Sequence, residues 1–153
     1  VIGGAAGALP PVIGWAIATG GISLEPIILF LIIFFWTPSH FWSLSLYRSD
    51  DYAKAKIPML PVISGVRVTK INIFIYSIIY ALTVASPYIF GFYGLSYFIV
   101  STILSLYYIY LCYNLLKEEN THQELKISKK IFKFSILHLF AIFIIILMDG
   151  IMT

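Results

Sequence analysis

The chain has 153 residues, 60% of them hydrophobic and 11% charged, with a mean hydropathy of +0.94. A soluble domain is about 45–50% apolar and about 25% charged, and a fold of this size has too much surface to hide such an excess from water. A water-soluble domain and a disordered chain are both excluded; the solvent that suits this composition is a bilayer.

A membrane-spanning helix needs about 20 apolar residues at a rise of about 1.5 Å each. The first candidate, Val1–Thr19, is apolar but carries Gly3, Gly4, Gly7, Gly14, Pro10 and Pro11. In water it would read as a loop. In a membrane it reads as a helix whose neighbours re-satisfy the backbone, with Gly3 and Gly7 as a small-residue pair that admits a second helix. No basic stretch precedes it, so it is not a signal peptide. The chain starts inside a hydrophobic element and reads as the C-terminal part of a longer membrane protein. Ile27–Leu46, Ile71–Phe90, Leu95–Leu116 and Ile131–Ile151 follow as four stronger candidates. The expected fold is therefore all-α, a polytopic transmembrane bundle of about five helices forming a single membrane domain over residues 1–153. Cys112 lies in one apolar run and reads as a small buried hydrophobe; a lone cysteine forms no intrachain disulfide.

The connections carry the charge. Residues 47–70 hold Arg48, Lys54, Lys56, Arg67 and Lys70, residues 117–130 hold Lys117, Lys126, Lys129 and Lys130, and Lys133 lies just beyond. These are all ten Lys and Arg, and two helices separate the two segments, so both fall on one face. The positive-inside rule makes 47–70 and 117–130 cytoplasmic loops. The net charge of +3 is thus explained by membrane orientation, and no nucleic-acid partner is expected.

The stretch Trp36–Pro61 concentrates the chemistry. Pro38 is expected to kink its helix or free a carbonyl. Arg48, Asp50, Asp51, Lys54 and Lys56 then cluster at the membrane surface. Two readings are open. Adjacent carboxylates among cations suit Mg²⁺ bound together with a phosphorylated substrate, because Mg²⁺ takes one or two carboxylates plus phosphate oxygens and Lys and Arg hold the remaining charge. The bland alternative is a solvated loop of mutually paired charges. On a helix, Asp50 and Lys54 share a face, while Asp50 and Asp51 point about 100° apart. Ile57–Pro61 then runs extended and apolar, able to re-enter the bilayer or line a lipid tail. His40, at membrane depth between Trp36 and Trp42, is either a haem ligand or a hydrogen-bond partner for a carbonyl freed by Pro38. His138 reads as a packing or interhelical residue, His122 as solvated, and Glu25 and Asp149 as interfacial on the opposite face.

Gly3–Trp15 (GGAAGALPPVIGW), Trp36–Trp42 (WTPSHFW) and Tyr47–Pro61 (YRSDDYAKAKIPMLP) together resemble the haem O synthase branch of the UbiA-type intramembrane prenyltransferase family. Beyond Val66 the likeness rests on helix number. The resemblance implies a nine-helix bundle of which this chain supplies about the last five. It implies two acidic motifs that hold Mg²⁺ and a prenyl diphosphate, of which only the second, at Tyr47–Lys54, lies in this chain. It also implies farnesyl transfer from farnesyl diphosphate to a vinyl group of haem b, with haem b as substrate. Asp50, Asp51 and Lys54 are then expected as catalytic, with Asp50 and Asp51 on the metal. Arg48, Lys54 and Lys56 are expected on the diphosphate and His40 against haem. The second motif departs from the family pattern of two aspartates four apart: Tyr47 stands four before Asp51, and Lys54 four after Asp50. By the same resemblance the location is a bacterial inner membrane, or alternatively a mitochondrial inner membrane. The chain alone is expected to be inactive without its N-terminal partner half. The alternatives are another UbiA-type aromatic prenyltransferase and a membrane transporter; a transporter would set its polar groups near midplane.

Overall fold

The computed structural model describes residues 2–152; among them helices predominate, joined by short turns, bends and irregular segments, with no strand. Residues 2–19 form two short helices end to end, α1 (Ile2–Ala8) and α2 (Pro10–Thr19). The single element expected over 1–19 is divided here because Pro10 and Pro11 are two consecutive residues without an N–H, so the helical ladder loses two bonds at Leu9. Val1, where that element was expected to start, lies outside the described residues.

Four long helices follow: α3 (Leu24–Tyr47), α5 (Leu60–Ile89), α6 (Leu95–Lys117) and α7 (Thr121–Met152), with the short α4 (Ser49–Lys54) between the first two. Each of the four is long and apolar enough to cross a membrane. Two begin well before their apolar runs. α5 starts at Leu60, not Ile71, and α7 at Thr121, not Ile131; much of 47–70 and 117–130 is therefore helix rather than loop. Apolar windows find only the lipid-facing length of a helix and miss a polar end that packs on neighbouring helices. α5 turns at Gly65, whose φ of +83° is open to glycine and costly for other residues.

α3 packs on α5 and α7, α5 on α6, and α6 on α7, while α1 and α2 lie against α3. The result is a ring of four helices with one core. Its centre is lined by small and polar side chains as well as aliphatic ones: Ser39, Ser43, Ser77, Ser101, Ser135, Tyr80, Tyr108 and His138 are all buried. Small residues let backbones approach closely in lipid, where apolar burial alone does not drive helices together. Each of these serines donates to the carbonyl three residues before it, as Ser43 Oγ does to His40 at 2.7 Å. Tyr108 donates across the bundle to Ser39 Oγ at 3.0 Å. His138 packs among Tyr80, Tyr108 and Phe134 as the interhelical residue it was read to be.

The two ends of the ring differ in chemistry. At one end Tyr93 donates to Glu25 at 2.6 Å, and the Asp149 carboxylate caps α6 through the Gly94 N–H at 2.6 Å and the Ser96 hydroxyl at 2.9 Å. Desolvation, followed by the bond to Glu25, pushes the Tyr93 phenol above its ordinary range. At the other end lie α4 and the starts of α5 and α7, where Lys70 forms a buried ion pair with Glu124 and donates to the Glu118 carbonyl at 2.7 Å.

Candidate active site

α3 ends at Tyr47 and the chain re-enters helix at once, so that Asp50, Asp51 and Lys54 all stand on α4. Asp50 and Asp51 occupy its first turn, where carboxylates suit the exposed N–H groups, and Lys54 its last, where a cation suits the carbonyl end. Arg48, Asp50, Asp51, Lys54 and Lys56 are all exposed at the end of the bundle. Arg48 donates to Asp51 at 2.8 Å, and this bond holds its guanidinium further above the ordinary arginine range. Two residues beyond α4, Lys56 adopts φ of +55°. That is a left-handed position usually given to Gly or Asn.

One cation at this corner was not visible in the sequence. Lys129 Nζ of α7 lies 5.1 Å from the centre of the Tyr47 ring, and Arg48 Cζ lies 5.3 Å from the same ring. Tyr47 thus has a cation from the junction of α3 and α4 on one side and one from α7 on the other, Arg48 and Lys129 being far apart in the chain.

A mainly apolar cavity of about 600 Å³ lies between α1, α3 and the start of α5. Gly3, Gly4 and Gly7 of α1 form one wall. Trp36, Thr37, Pro38, Phe41 and Trp42 of α3 form another, and Met59 and Tyr76 close it from α5 and its approach. Of the three glycines, only Gly4 faces α3 closely: a Cβ there would be in van der Waals contact with Thr37 Cγ2 at 3.4 Å. α3 continues through Pro38, whose missing N–H leaves the Phe34 carbonyl without its helical donor, and Pro38 also lines the cavity. Met59 is extended, with φ −79° and ψ 155°, and is the residue of the apolar strip after α4 that lines the cavity, while Ile57 and Pro58 are exposed.

His40 does not line the cavity but lies behind its wall, in ring contact with the lining residues Trp36 and Phe41. Its ring is stacked between Trp36, at 4.2 Å, and Phe132, at 4.8 Å, and its Nδ1 meets Ser135 Oγ at 2.7 Å. Ser135 Oγ gives its own proton to the Phe132 carbonyl at 2.7 Å. It therefore accepts from Nδ1–H, and the lone pair of His40 lies on Nε2. The Pro38-freed carbonyl is not its partner; a serine on the facing helix is. Trp36 donates to the Ser135 carbonyl at 2.9 Å, so Ser135 organises both rings, and nothing in the sequence marked it. Among the described residues no cluster of three or more His, Cys, Asp or Glu side chains is placed to hold a metal ion unaided.

The segments that line the cavity and form the corner are those that carried the resemblance. A model described as the UbiA prenyltransferase family matches residues 1–147. The chain belongs to this family. It is 59% identical over 99% of its length to the protoheme IX farnesyltransferase of Pelagibacter ubique, of which it covers 50%. It is 53% identical over 97% of its length to the protein of the same name from Bartonella bacilliformis, covering 48% of it. It is 49% identical over 97% of its length to protoheme IX farnesyltransferase 2 of Nitrobacter winogradskyi, again covering 48%. The chain thus spans about half the length of the curated relatives it matches. No solved structure matches it.

Proposed function

We propose that this chain is the part of a haem-farnesylating UbiA prenyltransferase that carries its second diphosphate motif. The full-length enzyme joins the farnesyl group of farnesyl diphosphate to a vinyl group of protoheme IX to give haem O. The observation that carries the reading is the convergence of three sequence segments. An exposed helix with two carboxylates and neighbouring cations is followed, five residues on, by Met59 in the wall of an apolar cavity that the glycines of α1 and the aromatic side chains of α3 also line. A diphosphate needs the first and a prenyl chain or porphyrin the second.

Asp50 and Asp51 fit Mg²⁺ as a donor set: two hard anionic oxygens on an exposed turn, too few for an all-protein cage and suited to an ion shared with phosphate oxygens. Bound there, the ion would neutralise charge building up on the departing pyrophosphate. Arg48, Lys54 and Lys56 present further positive charge from the same segment. With that charge in place, the C–O bond of farnesyl diphosphate ionises, the allylic cation is attacked by the vinyl carbon, and water adds to the resulting cation with loss of a proton. The apolar cavity keeps water from the first cation until the new C–C bond forms. Any haem contact from His40 uses Nε2, since Nδ1 is committed to Ser135. The basic end of the bundle faces the cytoplasm by the positive-inside rule, in the inner membrane of a bacterium.

The test is haem O formation by full-length enzyme carrying Asp50→Asn, Asp51→Asn or Lys54→Met at matched membrane expression. Loss of a group that stabilises developing charge typically costs about 10²–10³ in rate, whereas a solvated surface pair costs less than about tenfold. Three variants all within a few-fold of the parent would overturn the assignment.

A further inference from the structure

The first turns of α7 carry a feature the proposed reaction leaves unused. Lys126, Lys129, Lys130 and Lys133 are all exposed, at helical positions i, i+3, i+4 and i+7, and so form one stripe. The opposite face, with Glu124, Ser128, Ile131 and Ser135, is buried against the bundle. The ion pairs among the described residues are Arg48–Asp51 and Lys70–Glu124, so the stripe has no carboxylate partner there. Two of its lysines lie over tyrosine rings, Lys129 over Tyr47 at 5.1 Å and Lys130 over Tyr107 at 5.7 Å.

Depth follows from helix length. α7 has 32 residues and is about 48 Å long, against a hydrocarbon thickness of about 30 Å. Asp149, which caps α6 at the far end of the bundle, marks the other boundary. Twenty residues back along a near-perpendicular helix, about 30 Å, is Lys129. The stripe therefore straddles the headgroup layer on the basic side, its aliphatic stems beside lipid and its ammonium groups at phosphate level.

We propose that the Lys126–Lys129–Lys130–Lys133 stripe is a binding surface for anionic phospholipid headgroups. Clustered lysines beside a membrane-spanning helix attract anionic lipid, each giving roughly a fivefold preference over a zwitterionic surface. The stripe is about 10 Å long, suited to two neighbouring headgroups rather than one diphosphate, and it faces outward from the ring while the cavity lies on the α1 side of α3.

The full-length protein is purified from membranes, reconstituted in nanodiscs of phosphatidylcholine with 20–30%, as an order-of-magnitude choice for an anionic leaflet, of phosphatidylglycerol, and its retained lipids are counted by native mass spectrometry after detergent exchange. Replacing all four lysines by Gln should cut retained phosphatidylglycerol at least fivefold and leave phosphatidylcholine unchanged. Replacing all four by Arg should retain it, and Lys54→Gln with Lys56→Gln should not alter it. Equal retention by the parent and the Gln variant overturns the proposal. So does displacement of phosphatidylglycerol by inorganic pyrophosphate, which would give the stripe to a diphosphate site. The Arg variant folding and retaining lipid while the Gln variant loses both would show the charge to be required for assembly; lipid loss by a Gln variant that keeps parental helicity supports the surface.

Discussion

Lys70 and Glu124 join the start of α5 to the start of α7, and their side chains are only 8% and 11% exposed. Replacing Glu124 by Gln leaves the ammonium group of Lys70 buried with the Glu118 carbonyl as its remaining strong acceptor. Breaking a buried pair from one side costs about 3–5 kcal/mol, because an uncompensated charge stays out of water. Both groups here keep some exposure, so the low end applies: about 3 kcal/mol, or about 150-fold in the folded-to-unfolded ratio. Lys70→Met strands the Glu124 carboxylate and should cost about as much. The double variant Lys70→Met with Glu124→Leu buries no charge. Its remaining cost is the Glu118 carbonyl left without a donor, about 1 kcal/mol. The assay is unfolding of the full-length protein in bicelles, titrated with SDS and followed by tryptophan fluorescence. Two costly single variants and a double variant milder than either are expected. Single variants within about 0.5 kcal/mol of the parent, or a double variant as costly as the sum, would show that the pair is solvated and that α7 does not dock through it.

Other consequences follow from the same geometry. Gly4→Val should obstruct the cavity, since the Cβ alone already meets Thr37 at 3.4 Å; raised KM for the apolar substrates in steady-state assays is the expected sign, with helicity unchanged by circular dichroism. Ser135→Ala removes the acceptor of His40 Nδ1–H and should destabilise the α3–α7 contact by about 1–3 kcal/mol, while Ser135→Thr should restore most of it in the same SDS titration. Asp149→Asn removes the charge on the α6 cap and should cost about 1 kcal/mol without changing haem O yield per folded molecule. Cysteine labelling at Ser64 and Thr121 in intact cells should fail from outside, because both lie at the basic end; labelling of either would reverse the orientation.

The lipid-facing half of this architecture was legible because lipid imposes a simple rule. Apolar runs beginning at Ile27, Ile71, Leu95 and Ile131 each coincide with one of the four long helices, Ile71–Phe90 overrunning the end of α5 at Ile89. The polar helix ends were not legible. Thr121–Lys130 looked like a solvated loop because its Glu124, Lys126, Ser128 and Lys129 break any apolar window, yet the segment is helical and buries Glu124 on Lys70, a residue 54 positions away. Burial of that kind depends on a partner that no local pattern names. The same holds for His40. Its depth in the membrane marked it for attention, but a freed carbonyl, a haem iron and a facing serine all satisfy an imidazole, and only the packing of α3 on α7 selects Ser135.

The charged corner shows where reading residue by residue stops. Arg48, Asp50, Asp51, Lys54 and Lys56 were identifiable because they are contiguous, and the turn from α3 into α4 does keep them together. Contiguity alone left a solvated ion-pair loop open, and the Arg48–Asp51 bond at 2.8 Å is what such a loop would also contain. The two readings differ in what the Asp50→Asn, Asp51→Asn and Lys54→Met enzymes do: a diphosphate site loses about 10²–10³ in rate, a solvated loop less than about tenfold. A site that holds a diphosphate at the membrane surface while its hydrocarbon lies in the bilayer needs charge next to an apolar wall, and Met59 is the residue that links the segment after α4 to the wall formed by α1 and α3.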